Sequence, residues 1–137
     1  MKLDSSAFVA DRELMQALEL RSQPVHCNAD RILFRQGEPP SGLFLLQSGA
    51  AELTMTSHEG HEIFHISAAA GSVLGLPALI GSQPFSLTAK AAPGAKVRFV
   101  PAEEFSRMMA DQPALSLSIL RVLAAEVRTA RYAFTEC

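Results

Sequence analysis

The feature that most constrains the fold is a series of short apolar segments separated by turn sequences. Segments typical of β-strands occupy residues 25–27, 31–35, 43–46, 51–56, 62–66, 86–91 and 95–99. Clusters of Gly, Pro, Asn, Asp and Ser separate them, as at residues 28–30, 36–42, 48–49 and 58–60. Short strands at regular intervals with turns between them are typical of a sandwich or barrel. We therefore predict a mainly β fold of the jelly-roll type.

Helices are predicted on both sides of this β region. At the N-terminal side, Ser5 or Ser6 is a candidate cap for a helix that ends before Gln23 and Pro24. At the C-terminal side, a short helix is predicted over residues 105–110, followed by a long helix capped by Asp111 that continues to about Ala133. The apolar side chains of the long helix recur on one face: Leu115, Ile119, Val122, Leu123 and Val127.

The apolar face of the long helix predicts a partner. Leu115, Ile119, Val122, Leu123 and Val127 continue beyond the length that a small barrel covers, so we expect the helix to pair with a second copy of the chain. Ile119 and Val122 are expected near the twofold axis of this homodimer. We accordingly divide the chain into an N-terminal helix plus β-roll at residues 1–110 and a dimerisation helix at residues 111–137.

Composition excludes several classes of function. The 137 residues are 48% hydrophobic and 19% charged, with a net charge of −2, so we expect no direct contact with nucleic acid from this chain. No apolar leader follows Met1, and the nearly uncharged segment 63–88 is interrupted by Gly and Pro, so we expect a cytoplasmic protein without a membrane span. The two cysteines form no CxxC pair and predict no zinc ribbon.

Three sequence segments, in this order and spacing, resemble those of a known family. Residues 32–49 read ILFRQGEPPSGLFLLQSG, Gly60 is followed by GSVLG at residues 71–75, and VRFVPAEEF occupies residues 97–105. Together they resemble the cyclic-nucleotide-binding domains of the catabolite activator and fumarate–nitrate regulator superfamily. The resemblance covers roughly residues 10 to 132. It implies a double-stranded β-helix (a β-roll) followed by a long C-terminal helix, and a regulatory sensor domain of a bacterial transcription regulator with no catalytic residues.

The same resemblance locates a ligand-binding cassette at Gly75, Leu76, Pro77, Phe85, Ser86 and Leu87. In nucleotide-binding relatives a glutamate holds the ribose and an arginine pairs with the cyclic phosphate. Leu76 and Phe85 stand at those positions here, and an apolar side chain cannot neutralise a buried phosphate. Lys90 takes the place of this arginine only if its face of the strand points into the roll. We therefore expect a small-molecule effector and no certain cofactor, with binding of cAMP or cGMP kept as a disfavoured alternative.

A second alternative is a cupin-like metal-dependent enzyme. Cupins are also small β-barrels, and this chain has three closely spaced histidines, His58, His61 and His65. Their spacing differs from the cupin pattern, so a polar hairpin tip without metal is the preferred interpretation. Two further points stay open at this stage: which effector binds, and whether the chain is a stand-alone module or part of a longer DNA-binding regulator.

Overall fold

The computed structural model describes residues 5–135, with side chains to residue 133. The described elements are α1 (Arg12–Glu19), β1 (Gln23–Val25), β2 (Arg31–Phe34), β3 (Gly42–Ser48), β4 (Ala51–Thr56), β5 (Glu62–Ala68), β6 (Ser72–Leu74), α2 (Leu76–Gly81), β7 (Thr88–Ala91), β8 (Lys96–Pro101), α3 (Ala102–Asp111), a 3₁₀ turn (Pro113–Leu115) and α4 (Ser116–Thr135).

The strands form two four-stranded antiparallel sheets. One sheet has the order β1-β8-β3-β6 and the other has the order β2-β7-β4-β5. Because strands that are far apart in the sequence lie side by side, the chain winds back and forth between the two sheets. This is the predicted β-roll followed by a long C-terminal helix, and the fold class is confirmed.

Strand β3 separates two apolar clusters. Side chains alternate across a strand, so Leu43 and Leu45 point to one side while Phe44 and Leu46 point to the other. Leu43 and Leu45 pack with α1, α3 and α4 in a cluster on the helix side of the sheet. Phe44 and Leu46 pack inside the roll. The sheet that contains β3 is therefore covered on both faces, which explains the continuous apolar run of this strand.

The N-terminal helix begins later than the sequence predicts. Its cap is Asp11, whose Oδ1 accepts a hydrogen bond from the Leu14 backbone N–H at 2.9 Å, while Ser5 and Ser6 lie in the preceding turn. Hydrogen bonds from the Ser118 side chain and the Leu14 backbone lower the pKa of Asp11. The cap carboxylate thus also connects α1 with the beginning of α4.

The C-terminal helices also differ from the prediction. Asp111 does not cap a long helix, because α3 continues through it and Pro113 then opens a short 3₁₀ turn. The Asp111 carboxylate instead accepts a hydrogen bond at 2.8 Å from the Arg21 guanidinium after α1. Helix α4 then runs for 20 residues from Ser116. None of the helices in the described part of the chain has the length and hydropathy needed to cross a membrane.

The structure corrects the predicted dimer face of α4. Leu115, Ile119 and Val122 are only 2%, 5% and 3% exposed and pack in the helix-side cluster of their own chain. Leu123 is partly buried against the same cluster, and only Val127, at 49% exposure, is open to solvent. The sequence pattern located a genuine apolar face, but its residues Leu115, Ile119 and Val122 pack in the protein's own helix-side cluster and are not available to a second copy.

Candidate functional site: an apolar cavity under the long helix

The predicted cassette begins with a sharp turn between β6 and α2. Gly75 has a φ of 103°, a left-handed conformation that L side chains rarely adopt. A Cβ at this position would lie 3.2 Å from Cε1 of Phe85. Pro77 occupies the first turn of α2, where the missing N–H costs nothing. Glycine therefore allows the chain to turn into α2 while keeping close contact with the Phe85 ring.

Phe85 is fixed by its backbone and by its ring. Its N–H donates to the Glu38 carbonyl oxygen at 2.9 Å, and its own carbonyl oxygen accepts from the Gly37 N–H at 2.8 Å. These two bonds tie the segment to the turn between β2 and β3. The Phe85 ring stacks on Phe34 with 3.9 Å between centroids and 16° between planes. The aromatic pair fills much of the interior of the roll at the cassette.

Two connected spaces remain beside this stack. The first, which we term the inner cavity, measures about 30 Å³ and is lined by Phe8, Phe34, Leu53, Leu74, Gly75, Pro77, Ala78, Phe85, Ser86, Leu87 and Glu126. The second, the outer groove, measures about 540 Å³ and is lined by Phe8, Met55, Ile63, Phe64, Pro77, Ser86, Leu87, Glu126, Val127, Thr129, Ala130 and Ala133. Five residues line both, so the inner cavity opens into the outer groove beneath α4.

Glu126 lies where the two spaces meet. It belongs to the inner face of α4, which follows helical spacing through Ile119, Val122, Glu126 and Thr129. Its Oε2 is shielded from solvent and has no hydrogen-bond partner among the described residues. Burial in these apolar surroundings raises the pKa of Glu126 to about 8. The other described residues that line the two spaces have no ionisable side chain.

The structure brings together five of the six predicted cassette residues. Gly75, Pro77, Phe85, Ser86 and Leu87 all line the inner cavity. Leu76 does not, because it is fully buried in the helix-side cluster. Glu126 was not predicted as a site residue. A detectable signal existed, because an acidic residue four positions after Val122 interrupts an apolar stripe of the helix.

Lys90 does not point into the roll. It is exposed on β7, and it pairs in register with Glu52 of β4. Apart from Ile32, its neighbours on this outer surface are polar and include Thr54, Thr88 and His65. The lysine therefore does not replace the arginine of nucleotide-binding relatives inside the cavity.

The histidines that suggested a metal-dependent enzyme do not form a common metal site among the described residues. His61 lies in the β4–β5 turn with Nε2 at 3.8 Å from Glu59. His65 Nε2 lies 2.5 Å from Glu52 Oε2, and its Nδ1 lies 3.6 Å from Glu62. The hydrogen bond with Glu52 raises the pKa of His65. Within residues 5–135, no group of three or more His, Cys, Asp or Glu side chains has the arrangement that a metal ion requires.

Several solved structures share this β-roll followed by a long helix and are similar to the chain. The catabolite activator protein of Thermus thermophilus matches with a TM-score of 0.76 and 22% identity, over 92% of this chain and 59% of that one. The sensor domain of the transcriptional regulator DNR from Pseudomonas aeruginosa matches with a TM-score of 0.66 and 22% identity, over 84% and 77%.

A third example is the N-terminal domain of a transcriptional regulator from Streptomyces coelicolor, with a TM-score of 0.64 and 22% identity, over 90% of this chain and 87% of that one. None of the curated proteins with which the sequence was compared matches it. The profile of the family described as the cyclic nucleotide-binding domain matches residues 24–112, more than half of the chain. The chain therefore belongs to the cyclic nucleotide-binding domain family.

Proposed function

We propose that this chain is the effector-binding sensor module of a transcription regulator, and that its effector is not a cyclic nucleotide. The observation that carries the proposal is the charge of the cavity. The described residues around the inner cavity and outer groove include a carboxyl group, that of Glu126, and no lysine or arginine. A cyclic phosphate bound there would have no cation to neutralise it.

The size of the inner cavity supports the same proposal. At about 30 Å³ it holds roughly one water molecule, so the cassette itself leaves no room for a cyclic phosphate. The Phe34–Phe85 stack takes up the space beside the cassette, at the position where the family resemblance places an arginine. A nucleotide would have to separate these rings and would gain no ion pair in return.

Calorimetry with cAMP and cGMP tests this proposal. We expect no binding tighter than about 100 μM, which corresponds to about −5.5 kcal/mol. Micromolar affinity for either nucleotide would overturn the proposal. In that event Lys90→Gln is the informative variant, because loss of binding would show that the outer face of β7 turns inward to the phosphate.

We further propose that the protein is a cytoplasmic homodimer that pairs through the outer stripe of α4. This stripe, opposite the inner face, consists of Leu117, Leu120 and Ala124, a spacing of three and four residues. Leu117 and Leu120 are 54% and 59% exposed. Burying each such side chain against a second copy contributes about 1.5–3 kcal/mol at full burial.

Leu120→Glu is expected to convert a dimer to a monomer while the roll stays folded, because it places a charge on the stripe. Sedimentation analysis of the wild type and this variant measures the change, and circular dichroism checks the fold. The matched control is Leu20→Glu, the same substitution at an 87% exposed position after α1. Ile119→Glu should instead unfold the protein, since Ile119 is in the core. A wild type that is monomeric at about 100 μM, equivalent to about −5.5 kcal/mol, would refute the dimer.

A further inference from the structure

The surroundings of Glu126 restrict what the outer groove can bind. Glu126 lines a space walled by Met55, Ile63 and Phe64 from one side and by Pro77 from another, and no described group donates a hydrogen bond to its solvent-shielded Oε2 atom. A carboxyl oxygen that is buried without a partner is costly, and the cost is greatest when the group is ionised. A favourable ligand would bring both a hydrogen-bond donor and a positive charge to this carboxyl group.

The lining of the rest of the groove indicates what kind of molecule carries the positive charge. The lining of the 540 Å³ space is almost entirely aliphatic or aromatic, apart from Ser86, Thr129 and Glu126. A bare metal ion would find a single carboxylate and would remain mostly uncoordinated. An anion would be repelled by Glu126. The volume lies within the range of drug-sized ligand sites, so an organic molecule with an apolar body fits both the size and the lining.

We propose, on the basis of the proposed effector-binding function, that the outer groove binds an organic ammonium compound whose cationic nitrogen hydrogen-bonds to Glu126 while its apolar body packs against the groove. Met55, Ile63 and Phe64 contact the body from the β4–β5 hairpin, and Pro77 contacts it from α2. Glu126 is the residue that selects for the cation, and it is carried by the same helix that presents the outer stripe.

The pH dependence of binding follows from the raised pKa of Glu126, about 8. Below that pH the empty site holds a neutral carboxyl group, and binding of a cation must release its proton. Affinity for an ammonium compound should therefore rise with pH, by up to about tenfold per unit below pH 8, and then level off. No other titratable group faces Glu126 from β4, β5, α2 or the segment 85–87 among the described lining residues.

The test compares primary amines with alcohols of the same shape. Phenylbutylamine, octylamine and tryptamine are titrated calorimetrically into the wild type at several pH values, each beside phenylbutanol, octanol or tryptophol. At pH 8 we expect at least one amine to bind at least tenfold more tightly than its alcohol. At pH 7 its binding should release about one proton, measured in buffers of different ionisation enthalpy. Alcohol binding should not change with pH.

Two variants complete the design. Glu126→Gln should abolish the preference for the amine and the proton release, while alcohol binding persists. Glu103→Gln, at an exposed position on α3, should leave both unchanged.

Equal binding of an amine and its alcohol, an amine preference that survives in Glu126→Gln, or no binding of any amine below about 5 mM would each overturn the ammonium proposal. So would a preference for the alcohol that Glu126→Gln removes, because Glu126 would then act as a neutral donor. None of these results bears on the nucleotide titration, which decides the proposed function separately.

Discussion

The most direct consequence of the Glu126 environment is a pH-dependent free energy of unfolding. In the folded protein burial raises the pKa of Glu126 from 4.5 to about 8. The folded state therefore binds more protons at this site than the unfolded state between these pH values, and its stability falls as pH rises through the interval. At about 1.4 kcal/mol per pH unit, Glu126 makes the fold about 4–5 kcal/mol less stable at pH 9 than at pH 4.5.

Glu126→Gln isolates this contribution. Glutamine has nearly the same shape as the protonated carboxyl group and does not ionise, so wild type and variant should have similar stability near pH 5. By pH 8 the variant should be more stable by about 3–4 kcal/mol. Urea denaturation at half-unit steps from pH 5 to pH 9, at one protein concentration, gives the difference. Glu103→Gln is the control, since it leaves Glu126 in place. Parallel wild-type and Glu126→Gln profiles between pH 5 and 8 would show that the carboxyl group is solvated and would refute the reasoning.

Two further predictions concern the cassette turn and the outer surface. Gly75→Ala should destabilise the protein by about 1–3 kcal/mol in urea denaturation, because it combines a left-handed φ with close contact to Phe85. Gly37→Ala has a similar φ and open space around its Cβ, so an equal loss in both variants would contradict a role for the Phe85 contact. Glu52→Gln should lower the pKa of His65 in an NMR titration, since hydrogen bonding to Glu52 is the main cause that raises it; an unchanged pKa would rule out that cause.

The strands could be predicted from sequence because the patterns that indicate them are local. Alternating side chains and Gly-containing turns place β4 correctly at residues 51–56 and the other predicted strands within a few residues. Strand β6 and helix α2 were not predicted as elements. At three and six residues they are too short for either periodicity to be recognised, and packing against the roll determines their conformation.

The two faces of α4 could not be assigned from sequence, because both carry apolar residues at helical spacing. Ile119 and Val122 lie on one face and Leu117 and Leu120 on the other. Only the position of the roll determines which face is buried. The same ambiguity concealed Glu126, which looks like an ordinary surface residue until α4 is placed over the groove. Five of the six residues that the family resemblance assigns to the cassette line one cavity, whereas the carboxyl group beside them became evident only from the structure.

The opposite faces of α4 have a thermodynamic consequence. Glu126 faces the groove, while Leu120 lies on the other side of the same rigid helix. A movement of α4 that changes the groove would therefore also move the outer stripe, through which we propose that two copies pair. If ligand alters the association constant of the stripe by some factor, association must alter ligand affinity by the same factor. The concentration of the protein would then act as an effector of its own ligand binding, and titrations at low and high protein concentration would give different affinities.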